Sequence, residues 1–257
     1  MSILAPVHSI LAKTGLDAIV LVPGANFRRV FGTDFHQMER PLEVIVPKAG
    51  EAVAIVPNLE LASFAAIGFP GQVFDWRDEA GYMGAFMAAG EALPQLRQGA
   101  RIGVEGQRMR VFDLFALQKA LPGAVFVDIH AGISALRLHK LPHEIELQRK
   151  AIRLSEAALE ATLQEVKVGM TETEIESILL RNLFSHGADG LAFAPIVAAG
   201  DNAAKPHAHA RPDYRIEPGD ALLFDFGGSY QGYSADITRT FFVKEVSDFD
   251  RAFYETV

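Results

Sequence analysis

The chain has 257 residues, no cysteine, and 24 basic against 32 acidic side chains, for a net charge of −8. The acidic balance argues against a nucleic-acid partner, and the lack of cysteine excludes disulfides, thiolate metal sites and a cysteine nucleophile, as suits a reducing cytoplasm. The length favours two domains. With no export signal and no window of about 18 uninterrupted apolar residues, the expectation is a cytoplasmic protein without a membrane partner.

The first half reads as a mixed α/β domain. A helix over 2–14 ends at Gly15, and Ala18–Val22 is a short apolar strand closed by Pro23-Gly24. The runs Leu42–Val46 and Ala52–Val56, separated by Pro47-Lys48-Ala49-Gly50, predict a hairpin. Then follow a helix over 59–67, a strand over 72–76, an Ala-rich helix over 84–98, a strand over 101–104, a helix over 111–120 and a strand over 125–129. This order predicts a mixed sheet with helices packed on it. No catalytic constellation and no Gly-rich phosphate loop stands out in this half.

A boundary is expected near His139–Pro142, dividing the chain into 1–138 and 139–257. Beyond it, 143–166 carries Leu147, Ala151, Leu154, Ala158 and Ala161 at three- and four-residue spacings, one apolar stripe of a long helix. Thr171 and Glu174 form a capping box for a second helix that runs to about His186. The acidic first turn, with Glu172, Glu174 and Glu176, is explained by the helix dipole and calls for no chemical role. An apolar strand is expected over 191–199. His207 and His209 follow at i and i+2, sharing a face if that segment is extended.

The stretch 218–243 then reads as two apolar β-runs, Ala221–Phe226 and Ala235–Val243, each with one Asp. A turn centred on Tyr230 and Gln231 sets Asp225 directly across from Asp236, with Phe224, Phe226, Ala235 and Ile237 on the opposite face. Like charges opposed on a half-buried sheet are destabilising unless a cation or a shared proton lies between them. A metal ion and a carboxylate dyad both answer this, and so does a slipped register that leaves the two Asp residues at solvated strand ends.

The ordered pieces Ala194-Pro195-Ile196-Val197-Ala198-Ala199-Gly200, Asn202-Ala203-Ala204 with Pro206-His207, Asp225-Phe226-Gly227 and Gly232-Tyr233-Ser234-Ala235-Asp236-Ile237-Thr238-Arg239-Thr240 resemble the pita-bread metallopeptidase family. That family contains aminopeptidase P, prolidase, methionine aminopeptidase and the non-peptidase creatinase. An α/β first half is similar to the prolidase and aminopeptidase P branch. The implied fold class is α/β (α+β), a creatinase-like N-terminal domain followed by an incomplete pita-bread domain.

The resemblance implies that Asp225 and Asp236 are metal ligands, one bidentate and one bridging. It implies that His207 contacts the scissile peptide group, and that two divalent ions (manganese, cobalt or zinc) activate a hydroxide. Thr238 is a candidate to support the ligand carboxylates, while His209 receives no role. The family completes its site with one further His and two Glu residues downstream, which the segment 244–257 does not match. The sequence-based expectation is therefore a chain cut short within the catalytic domain, ending in the start of a helix over 247–257. The implied function is a metal-dependent Xaa-Pro peptidase acting on short peptides as a homodimer. A creatinase-like hydrolase or lyase of a small amide-like substrate and a non-catalytic binding module stand as alternatives.

Overall fold

A computed structural model describes residues 2–256. Met1 and Val257, the outer ends of the two expected domains, lie outside the described residues, as does the last position of the expected terminal helix. The chain divides into two compact units, Met1–His139 and Lys140–Val257.

The first unit runs α1 (Ala5–Thr14), β1 (Ala18–Leu21), α2 (Ala25–Phe31), β2 (Glu43–Pro47), β3 (Ala52–Pro57), α3 (Leu61–Ala65), β4 (Gly71–Trp76), α4 (Met83–Ala92), β5 (Arg101–Val104), α5 (Val111–Ala120), β6 (Val125–Asp128) and α6 (His130–Ser134). Its six strands form one mixed sheet in the order β4-β3-β2-β1-β5-β6. The hairpin β2–β3 is antiparallel, whereas β3–β4, β1–β5 and β5–β6 are parallel. Strand β1 is buried throughout because helices cover both faces of the sheet. Ala18 and Val20 pack with Phe86, Ala89 and Leu117 from α4 and α5, while Ile19 and Leu21 pack with Leu11, Phe27 and Phe64 from α1, α2 and α3.

Three local departures from the sequence reading have simple causes. Helix α4 stops at Ala92 because Pro94 cannot continue it. Helix α2, which the sequence reading does not include, starts immediately after the Pro23-Gly24 pair that closes β1 and ends on Gly32 in the left-handed region at φ +76°. Helix α6 is only five residues long and too short for a periodic signal.

The second unit runs α7 (Pro142–Glu165), α8 (Glu172–Ser185), β7 (Gly190–Leu191), β8 (Ile196–Ala199), β9 (Ala221–Phe226), β10 (Gly228–Tyr230), β11 (Tyr233–Ser234), β12 (Ile237–Phe242) and α9 (Asp248–Thr256). The expected strand over 191–199 is broken, because residues 192–195, ending in Pro195, are not in strand conformation. Its two ends join different sheets, β11-β10-β7 and β12-β9-β8.

Helices α7 and α8 cover one face of the β12-β9-β8 sheet. Ala151, Leu154 and Ala158 of α7 and Ile175, Leu179 and Leu183 of α8 meet Val197, Phe224, Phe226 and Ile237. Full burial of one such Phe contributes roughly 1.5–3 kcal/mol. Strand β9 alternates half-buried and buried residues, so its second face, with Leu223 and Asp225, turns away from the helices. Among the described residues, no helix is long and apolar enough to cross a membrane.

Candidate active site

The hairpin that carries both Asp residues turns at Gln231-Gly232, with φ of +48° and +78°. A two-residue turn with both central residues left-handed matches the twist of the flanking strands. Tyr230 then pairs with Tyr233, Ser229 with Ser234, and Asp225 with Thr238. The expected turn centre was one residue too early, so the expected apposition of Asp225 and Asp236 is corrected. Asp225 faces Thr238, and Asp236 lies in the break between β11 and β12. The Gln-Gly pair flanked by two tyrosines was the available signal for this register.

Gly227 permits the crossover. A Cβ there would lie 1.8 Å from the Ala235 carbonyl oxygen, so no larger residue fits without moving the strands. Beyond it, the backbone N–H of Gly228 donates to Ser155 Oγ at 2.9 Å, which ties the hairpin to α7.

On the helix-free face, Thr238 Oγ1 donates to Asp225 Oδ1 at 2.9 Å and so orients that carboxylate. Both residues line a cleft of about 400 Å³ together with Ile196, Leu223, Lys205 and His207. Of the three site residues expected from sequence, this cleft gathers Asp225 and His207. Asp236 is exposed and outside the cleft lining.

The segment bearing His207 is not extended. Pro206 and His207 form a turn, and His207 has φ +56°, a left-handed conformation uncommon for a residue other than glycine. The expected common face of His207 and His209 therefore does not exist, since a turn destroys the period-two alternation.

Glu172 was missed by sequence reasoning. It has no exposed surface, and five donor groups reach its carboxylate. These are the backbone N–H of Ala199 and of Arg211, both at 2.7 Å, Asn202 Nδ2 at 3.0 Å, Arg211 Nη2 at 2.9 Å and Arg211 Nε at 3.1 Å. Glu174 alone closes the helix cap, accepting from the Thr171 N–H while Thr171 Oγ1 accepts from the Glu174 N–H.

Arg211 also donates to Asp201 and to the Ala199 carbonyl and lies 4.0 Å over the Tyr214 ring. Its bonds to Glu172, then to Asp201, raise the guanidinium pKa further. The Tyr214 hydroxyl donates to Asp220, and burial followed by that carboxylate pushes its pKa up to about 12. The Asp201 carboxyl is held below its usual range, chiefly by the Arg211 hydrogen bond.

Asp225 and Asp236 are hard oxygen donors of the kind that hold divalent cations. Among the described residues, no three His, Asp or Glu side chains converge into a metal-holding cluster. The donors present therefore do not fit a complete metal centre.

Comparison with known proteins follows the division of the chain. The Creatinase/Prolidase N-terminal domain family matches residues 4–139, and metallopeptidase family M24 matches residues 146–257. An uncharacterized peptidase of Staphylococcus saprophyticus is 30% identical over 202 residues, covering 79% of this chain and 55% of that protein. The chain thus spans little more than half the length of that curated relative. Among solved structures, a recombinant prolidase from Thermococcus sibiricus superposes with a TM-score of 0.88 at 27% identity, covering 100% of this chain and 70% of that one. An Xaa-Pro dipeptidase from Bacillus anthracis gives 0.85 at 26% identity, covering 99% and 68%.

Proposed function

We propose that this chain, which belongs to the Creatinase/Prolidase N-terminal domain family and whose second half matches metallopeptidase family M24, acts as a metal-dependent peptidase on peptide bonds next to proline. Residues 1–138 are the creatinase-like domain and 139–257 the peptidase domain in this reading. The observation that carries it is the cleft shared by Asp225, Thr238 and His207 inside the M24-matching region. The prolidase and Xaa-Pro dipeptidase structures named above support the substrate class.

Asp225, in the cleft, and Asp236, outside its lining, would be the carboxylates this chain contributes toward holding two divalent ions, of manganese, cobalt or zinc. Such ions, when bound, lower the pKa of water and polarise a carbonyl. The chain's own residues bind and orient. Thr238 fixes the Asp225 carboxylate, Ile196 and Leu223 offer apolar walls to a ring or aliphatic side chain, and His207 is a hydrogen-bonding contact for the scissile peptide group. A homodimer and a cytoplasmic location complete the proposal.

Hydrolysis of Xaa-Pro dipeptides by the protein as encoded, supplied with each metal in turn, tests the reading. The expected result is hydrolysis abolished by a chelator and reduced to background in Asp225→Asn and Asp236→Asn, with circular dichroism unchanged. Wild-type activity in either variant overturns the metal assignment. Hydrolysis of creatine in place of Xaa-Pro peptides transfers the protein to the creatinase-like reading. Substrate binding without turnover would favour a peptidase-like binding module, which the incomplete donor set also accommodates.

A further inference from the structure

The segment over 200–210 opens with a short 3-10 helix, Gly200–Ala204, and brings Lys205 and His207 to the cleft on an exposed tip. Residues 204–207 are exposed, and only Asn202 and Ala208 are buried within it. Its left-handed histidine is a sparsely populated conformation, which persists only where the surroundings over-determine it.

Glu172 reaches both ends of this segment. Its Oε1 accepts from the Ala199 N–H at the start of the loop, and its Oε2 accepts from the Arg211 N–H at the end. Arg211 closes the same junction from the other side, donating through Nη2 both to Glu172 Oε1 and to the Ala199 carbonyl. Asn202 bridges the loop internally, from Glu172 Oε2 to the His209 carbonyl. One buried carboxylate and one guanidinium thus hold both ends of an 11-residue span whose tip, 204–207, is exposed. Because Thr171 and Glu174 already satisfy the helix cap, this arrangement is not needed to start α8.

We infer that Glu172 and Arg211 are positioning residues that clamp the ends of the 200–210 loop and thereby set His207 in the cleft. The clamp itself stands on geometry alone, while its effect on turnover rests on the peptidase reading above. The test compares Glu172→Gln and Arg211→Lys with the wild type. Glu172→Gln puts an amide where the carboxylate faces donors, and Arg211→Lys keeps the charge and the backbone N–H but removes the forked contact to Glu172 and Ala199.

Hydrogen exchange read by mass spectrometry is expected to be at least tenfold faster over 200–210, with protection in α7 and α8 unchanged. The His207 Hε1 resonance is expected to move. In the Xaa-Pro assay, kcat should fall at least tenfold with KM within twofold, since a misplaced transition-state contact lowers kcat. If Glu172→Gln unfolds the unit, Arg211→Lys decides the matter. An unchanged loop exchange and His207 resonance in Arg211→Lys, or α7 and α8 losing protection as much as the loop in that variant, overturns the inference. If the wild type hydrolyses no Xaa-Pro substrate, the peptidase reading fails while the exchange and resonance measurements still decide the clamp.

Discussion

Glu43 in the six-stranded sheet and Glu172 at the start of α8 are both without exposed surface, yet their surroundings are opposite. Glu172 is met by five donor groups, including a guanidinium, whereas neither oxygen of Glu43 has a hydrogen-bond partner among the described residues. Burial, reinforced by the nearby Asp113 carboxylate and opposed by Arg110, pushes the Glu43 carboxyl well above its ordinary value of 4.5. Glu105 lies between these extremes. It accepts from Asn26 Nδ2 at 2.7 Å and from the Val22 N–H at 3.2 Å, and burial still raises its pKa. Burial alone therefore says little about a carboxylate, because its partners decide whether it holds structure together or weakens it.

Removing the satisfied group should have the larger effect. Glu172→Ala leaves Arg211 partly buried without its main counter-charge and frees two backbone N–H groups, and it should destabilise the second unit by about 3–5 kcal/mol in urea unfolding. Glu43→Met should act in the opposite direction, stabilising the first unit by about 1–3 kcal/mol, because an unsatisfied polar group is replaced by an apolar one of similar size. Equal destabilisation by both substitutions would break the contrast.

The pH dependence sharpens it. The folded-state pKa of Glu43 is raised, so well below pH 4.5 it is protonated in both states and its contribution is fully present. As pH rises through the folded value, that contribution is lost. The stability advantage of Glu43→Met over wild type should therefore grow from pH 4 upward, which denaturation midpoints at several pH values will show. The smallest effect is expected at the half-exposed carboxylate of the cleft. Thr238→Val removes one hydrogen bond to Asp225 and should cost about 1 kcal/mol or less, since water replaces the lost donor. A larger loss in thermal unfolding would mean that Asp225 is held by Thr238 as firmly as Glu172 is by Arg211.

Much of the fold was legible because it is local. The capping box of Thr171 and Glu174, the apolar stripe of α7 and the alternation of Phe224 and Phe226 against Asp225 are set by residues a few positions apart. Hairpin register was harder, because moving the turn by one residue changes every facing pair, and Asp225 met Thr238 instead of Asp236. The turn at Pro206-His207 likewise overrode the simple spacing of His207 and His209.

By itself, the sequence determined most of the strands and helices, though not α2, α6 or the break at 192–195, together with the family resemblance and the candidacy of His207, Asp225 and Asp236. Only the tertiary structure decided that Asp225 and His207 share a cleft that leaves out Asp236, and that Glu172 joins Ala199 to Arg211. The reason is physical. Periodicity and caps act over three or four residues, whereas Glu172 and Arg211 are 39 positions apart and meet only when the start of α8, the end of β8 and the end of the 200–210 segment pack together.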